Sequence, residues 1–218
     1  SDLSLSTQLL HGNDVVLEDE QPLDREDVMI EAPEELTIRS VTARGTGCNK
    51  DNTYIDISPD RQVFTAIFDE FQAVIDPDDL FVSYSDRRKT CFLMLKIKVP
   101  AGWQFSIFKA DFEGWYDLQE KMQLTYASTY HFQGRQRYRT KDVLRTGLAP
   151  KDGEFHFQDE IGVTSYEWSE CGGPRNFHLK TSLQLSTRDR NSKGVAGIDA
   201  IEGLFKMKAH FGLKWRRC

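Results

Sequence analysis

The chain has 218 residues, of which 39% are hydrophobic and 11% aromatic, with 14 Phe; that is enough apolar side chain to close a sizeable core, and it excludes a disordered protein. Its longest apolar runs are strand-sized, well short of the roughly 20 residues that cross a bilayer, so no membrane span is expected. The net charge of −6 hides a split: residues 1–36 hold 11 Asp or Glu and one Arg, a net of −10, and the remaining 23 acidic and 27 basic residues give +4.

Residues 1–35 show no sustained period of 2 or 3.6 and are studded with acids, as at Glu18, Asp19 and Glu20. We read them as an acidic arm whose scattered apolar residues, such as Leu9, Val15 and Val28, anchor it along a surface. The chain opens at Ser1 without Met or signal-peptide blocks, so removal of a targeting segment is expected.

From residue 36 to 218 the pattern is one domain of successive strands. Leu36, Ile38 and Val41 open it, and Tyr54, Ile55 and Ile57 run into the turn Ser58-Pro59-Asp60. A long strand is expected over 63–74, rich in β-branched and aromatic residues. Segments 90–99 and 103–112, separated by Pro100-Ala101-Gly102, read as a hairpin. Segments 122–132 and 135–144 read as a second one around Gln133-Gly134. Strands over 155–168, 177–187 and 204–215 complete about ten, and only 117–122 and 199–208 have helical flavour. The expected fold is all-β: a two-sheet antiparallel β-sandwich, jelly-roll-like, with an extended N-terminal arm.

Cys48, Cys91, Cys171 and Cys218 are widely spread and lack the close pairs of zinc or redox sites, which favours two structural disulfides and a secreted protein. Three pairings are open; shorter loops favour Cys48 with Cys91 and Cys171 with Cys218. No Asn-x-Ser/Thr acceptor occurs, so N-glycosylation is not expected.

Several motifs occur in order: Gly45-Thr46-Gly47-Cys48, Ile57-Ser58-Pro59-Asp60, Ser85-Asp86-Arg87-Arg88-Lys89-Thr90-Cys91, Pro100-Ala101-Gly102-Trp103-Gln104-Phe105, Gly114-Trp115, Trp168-Ser169-Glu170-Cys171-Gly172 and Trp215-Arg216-Arg217-Cys218. In this combination the chain resembles a family of secreted four-cysteine proteins of fungi and bacteria, a domain of unknown function. The resemblance implies secretion and paired cysteines and carries over no catalytic residue. The long acidic arm and high charge depart from the family pattern.

Asp159 and Glu160 are adjacent in a strand and so point to opposite faces. Glu160 with Gln133 or Glu113 across a concave sheet is the candidate acid pair of a polysaccharide hydrolase. The five histidines, His11, His131, His156, His178 and His210, lack metal-ligand spacing, although His131 and His156 are placed to meet across neighbouring strands. Asp76, Asp78 and Asp79 offer hard oxygens for calcium without the pattern of a calcium loop. There is no Gly-x-Ser-x-Gly elbow and no phosphate-binding loop. Trp103, Trp115 and Tyr116, near turns, are the candidate sugar platform. Arg135, Arg137, Arg139 and Lys141 alternate along a strand and form a candidate basic docking face.

No catalytic, cofactor-binding or metal residue is assigned and no cofactor is expected. The preferred reading is a secreted, non-enzymatic structural or interaction protein. In it the acidic arm docks on the basic face of its own or a neighbouring copy, giving a homo-oligomer or a contact with another extracellular protein. A polysaccharide-binding module or hydrolase is the alternative, and nucleic acid is not an expected partner because the arm already supplies a polyanion.

Overall fold

A computed structural model describes residues 32–161, 166–197 and 207–218. The described residues form twelve strands: β1 (Thr37–Gly45), β2 (Thr53–Ile57), β3 (Val63–Phe68), β4 (Ala73–Ile75), β5 (Arg88–Lys98), β6 (Trp103–Leu118), β7 (Met122–Phe132), β8 (Tyr138–Arg145), β9 (Lys151–Glu160), β10 (Pro174–Thr187), β11 (Gly194–Gly197) and β12 (Met207–Arg217), with one 3-10 turn at Tyr84–Arg87. Five strands make one sheet in the order β1-β5-β10-β7-β8, and seven make the other, β2-β3-β12-β6-β11-β4 with β9 added on β6. The pairings are antiparallel, and the two sheets form a β-sandwich.

Alternation along the strands builds the core. β7 alternates buried and half-buried residues throughout, sending Leu124, Tyr126, Tyr130 and Phe132 inward. They meet the other sheet through rings: Phe105 lies edge-on to Phe132, and Phe211 packs against Tyr130 and Phe177. Phe64, Phe112 and Phe211 are also fully buried, so the interface is largely aromatic. The 16-residue β6 keeps its inward pattern by a bulge. Lys109 pairs with Gly212 and Ile107 with Leu213, leaving Phe108 as the extra residue, and the inward set shifts from Phe105 and Ile107 to Ala110 and Phe112.

Three expectations are corrected. Segments 90–99 and 103–112 are not a hairpin: β5 pairs with β1 and β10, and β6 lies in the other sheet, so the turn in which Trp103 N–H donates to the Pro100 carbonyl at 3.2 Å carries the chain between sheets. The strand expected over 63–74 is split into β3 and β4, and the buried Phe71 sits in the bend between them. Segment 117–122 is the end of β6, a turn and the start of β7 rather than helix; the apolar and polar residues there serve a strand reversal. The hairpin around Gln133-Gly134 is β7–β8, with Tyr130 opposite Tyr138. The helical flavour at 199–206 and residues 1–31 of the arm lie outside the described residues.

Both disulfides close the shorter loops. Cys48–Cys91 ties the loop after β1 to β5 with Cα atoms 5.4 Å apart, and Cys171–Cys218 ties the segment before β10 to the end of β12 with Cα atoms 5.9 Å apart.

Candidate functional site

The motif-rich segments assemble a clamp. Gly172 N–H donates to the Trp103 carbonyl, Ser169 N–H to Phe105 and Cys218 N–H to Gly102, at 3.0, 2.8 and 3.0 Å. The Arg217 guanidinium lies 3.9 Å from the Trp103 ring centre and Arg216 4.0 Å from that of Trp168. Trp215 donates from Nε1 to the Arg61 carbonyl and packs against Phe105. Each named side chain is thus engaged in holding the β12 end and the Cys171–Cys218 bridge in place.

The aromatic residues do not converge on one surface. Trp103 is 8% exposed and lies under Arg217, and Tyr116 is 9% exposed and faces the core. Trp115 is half-buried on the opposite side of β6 from Tyr116, as strand alternation requires.

Nor do the carboxylates converge. Asp159 accepts from the Tyr130 hydroxyl at 2.7 Å, while the exposed Glu160 takes the Gln158 amide at 2.6 Å. Glu160 is opposite Lys109 and Glu113 is opposite His156, four residues further along β6. At about 3.3 Å per residue that is roughly 13 Å, wider than the roughly 5 to 9.5 Å of paired glycosidase carboxyls. Gln133 is in the β7–β8 turn of the other sheet, bonded to Asn176. A cleft of about 140 Å³ lies elsewhere, lined by Ile75, Pro77, Val82, Tyr84 and Arg87, and is small beside ligand pockets of roughly 300 Å³ or more.

At the acidic turn a lysine takes the place of a bound cation. Lys193 Nζ is 3.1 Å from Asp76 and 2.8 Å from Asp78, and Asp79 accepts the Phe81 N–H at 2.8 Å. The Asp78 N–H and Lys193 hold the Asp76 carboxyl below the usual carboxylate range. Among the described residues no group of three or more His, Cys, Asp or Glu is placed to hold a metal.

His131 does not meet His156, because β9 pairs with β6 and lies in the other sheet. Its neighbour is His178, directly opposite on β10, with ring centres 5.1 Å apart and planes 17° from parallel. His156 instead lies 3.5 Å from Asp111, and His210 bridges Thr65 at 2.9 Å and Glu113 at 3.4 Å on the seven-stranded sheet.

The basic residues do converge, over a wider area than the sequence suggested. Of the four named, Arg139 and Lys141 project from β8, whereas Arg135 and Arg137 precede the strand and Arg135 faces Glu167 at 4.0 Å. The registers align this edge with the other four strands of its sheet. Arg139 is opposite Thr129, Thr129 opposite Lys180, Lys180 opposite Phe92 and Phe92 opposite Arg44. Following the alternation, the solvent face of the five-stranded sheet presents Arg44 from β1, Arg88, Lys96 and Lys98 from β5, Lys180 from β10, and Arg139, Lys141 and Arg145 from β8, all exposed. None of the outward positions of these described strands is Asp or Glu.

The same alternation on the seven-stranded sheet gives Asp56, Asp111, Glu113, Asp117, Asp152, Glu154 and Glu160 against Lys109, Lys208, Lys214 and Arg216. Among the described residues the sandwich therefore has one face whose charged strand positions are all basic and one acid-rich face. A like-charged array of this kind raises the local potential and attracts a polyanion. Sequence reading found only the β8 edge because the other cations come from strands distant in the chain, each unremarkable in its own segment.

A family model described as Domain of unknown function (DUF4360) matches residues 34–218. An uncharacterised secreted protein of Arthroderma benhamiae is 33% identical over 186 residues, covering 85% of this chain and 73% of the relative. Among solved structures, TmCBM61 in complex with β-1,4-galactotriose aligns at TM-score 0.26 and 13% identity, covering 83% of this chain and 90% of that one. The enzymatically active domain of bacteriophage CBA120 tailspike protein 4 aligns at TM-score 0.22 and 8% identity, covering 87% and 20%.

Proposed function

We propose a function from the premise that the chain belongs to the DUF4360 family and is secreted: it is a non-enzymatic interaction protein that docks an acidic chain across the solvent face of its five-stranded sheet. The acidic chain is the N-terminal arm of its own or a neighbouring copy, and docking between copies makes the protein self-associate or coat a surface. The observation that carries this reading is the exposed basic array without a carboxylate among its outward positions, in a chain whose first 36 residues carry a net of −10.

Placement supports it. The buried Pro33 and half-buried Leu36 lead into Thr37, which is opposite Lys98 at the edge of the basic sheet. Five strands spaced by about 4.8 Å make a face roughly 19 Å wide. An extended arm of 31 residues reaches about 100 Å, enough to cross its own face or a neighbour's.

Sedimentation and limited proteolysis of the arm test the reading. Arm protection, and any oligomer, should persist in dilute buffer and disappear at about 1 M salt, where screening falls to roughly 3 Å. Lys180→Glu combined with Arg139→Glu should have the same effect. If arm deletion and salt both leave the assembly state unchanged, and the arm is cleaved equally fast in either buffer, the reading is wrong.

A further inference from the structure

The basic face has an ionisable centre of a different kind. His131 and His178 stack at 5.1 Å across β7 and β10, and His131 Nδ1 is buried without a hydrogen-bond partner among the described residues. The surroundings are positive or neutral. On β7 the outward neighbour is Thr129; β10 supplies Asn176 and Lys180; β5 supplies Met94, opposite His178, and Lys96; and β8 and its preceding turn supply Arg139 and Arg137. The carboxylates at the rim, Glu167 and Glu170, face Arg135 and Arg175. The charges of Arg137, Arg139, Lys96 and Lys180 around the pair disfavour a bound metal cation.

We propose that the His131–His178 stack makes this face acid-responsive, so that docking of the acidic arm tightens as the pH falls from about 8 to about 5. This rests on the arm-docking reading above.

With the face empty, burial and then His178 and Arg137 hold the His131 imidazole below its ordinary range, and burial and then Arg137 do the same to His178. Both rings are therefore neutral at neutral pH. A carboxylate-rich segment laid over them replaces repulsion by attraction and raises both, so docking takes up protons. By reciprocity, protons strengthen docking, about tenfold for each histidine that docking raises by one pKa unit. Below about pH 4 the arm's own carboxyls become protonated and docking weakens again, which places the optimum near pH 5.

The full chain carrying a fluorophore on the Ser1 amino group reports docking as anisotropy. In dilute buffer the anisotropy should rise from pH 8 to pH 5 and fall in 1 M salt. The variant His131→Gln with His178→Gln, its fold checked by near-ultraviolet circular dichroism, should lose the pH response and keep the salt response. If the wild-type anisotropy is salt-sensitive but flat between pH 5 and 8, the histidine proposal fails and arm docking stands. The histidine proposal fails equally if the double variant keeps the full pH response, as it would if His11 were responsible. If salt changes nothing at any pH, arm docking itself fails. Where the double variant does not fold, His11→Gln takes its place: it should keep the wild-type pH response, and loss of that response would overturn the histidine proposal.

Discussion

Tyr130 and Asp159 join the two sheets: the hydroxyl, on the inward side of β7, donates to the carboxylate of β9 at 2.7 Å. Tyr130 is fully buried and stacks with Tyr138, and burial followed by the Asp159 hydrogen bond and charge raises the phenol above its usual range. The Asp159 carboxylate is thereby a structural acceptor between the sheets. Tyr130→Phe keeps the ring and removes the donor, and should cost about 1.5 to 3 kcal/mol, the usual range for a hydrogen bond to a charged group. Urea denaturation of the oxidised protein measures it; a loss below the error of the method would show that water replaces the phenol.

Each disulfide should outweigh any single surface contact. Cys48–Cys91 spans 43 residues and Cys171–Cys218 spans 47, so loop entropy gives about 4 kcal/mol for each. Replacing Cys171 and Cys218 by Ala should lower the unfolding free energy by that order and release the end of β12, exposing Trp215 to quenchers of tryptophan fluorescence. Peptide mapping without reduction checks the pairing itself.

Gly45 explains why the first cysteine motif begins with glycine. Its φ of +156° and a Cβ position only 2.0 Å from the Thr90 carbonyl oxygen leave no room for a side chain where β1 closes on β5. Gly45→Ala should destabilise by about 2 kcal/mol or more, since it combines unfavourable φ with a backbone clash. Thermal unfolding measures this, and Gly102→Ala is the control: its φ is also positive, but nothing lies within 4 Å of its Cβ position, so only the φ cost applies.

Much of the architecture was legible because strand alternation is local. The buried face of β7 and the β7–β8 turn at Gln133-Gly134 follow from residues close in sequence, and the cysteine pairing follows from loop length. Sheet membership was not legible. β5 and β6 look like partners because Pro100-Ala101-Gly102 is a competent tight turn, and only packing of Leu95 and Phe105 into one core from opposite sides decides otherwise. The functional face was hidden for the same reason. Arg44, Lys180 and Arg139 are aligned across the sheet only through four successive registers, and His131 meets His178 because β10 lies beside β7.

The histidine stack also predicts how stability depends on pH. Both imidazoles are held below their ordinary range in the folded protein, with burial the largest cause. As pH falls through about 6.5 the unfolded chain therefore takes up protons first, so stability decreases through that window and levels off once the folded-state histidines are also protonated. The sign is the same as for Asp60 and Asp76, whose lowered carboxyls also lose their contribution as pH falls, but in a lower window that opens at about 3.8. Urea midpoints at pH 8, 6 and 5 should therefore fall in order for the protein with its arm released in 1 M salt, and should fall less for His131→Gln with His178→Gln. In dilute buffer the docked arm opposes this loss, because it favours the same protonated imidazoles that the bare face disfavours. A pH slope steeper in 1 M salt than in dilute buffer is thus the joint signature of the stack and the arm, and equal slopes would show that the two are not coupled.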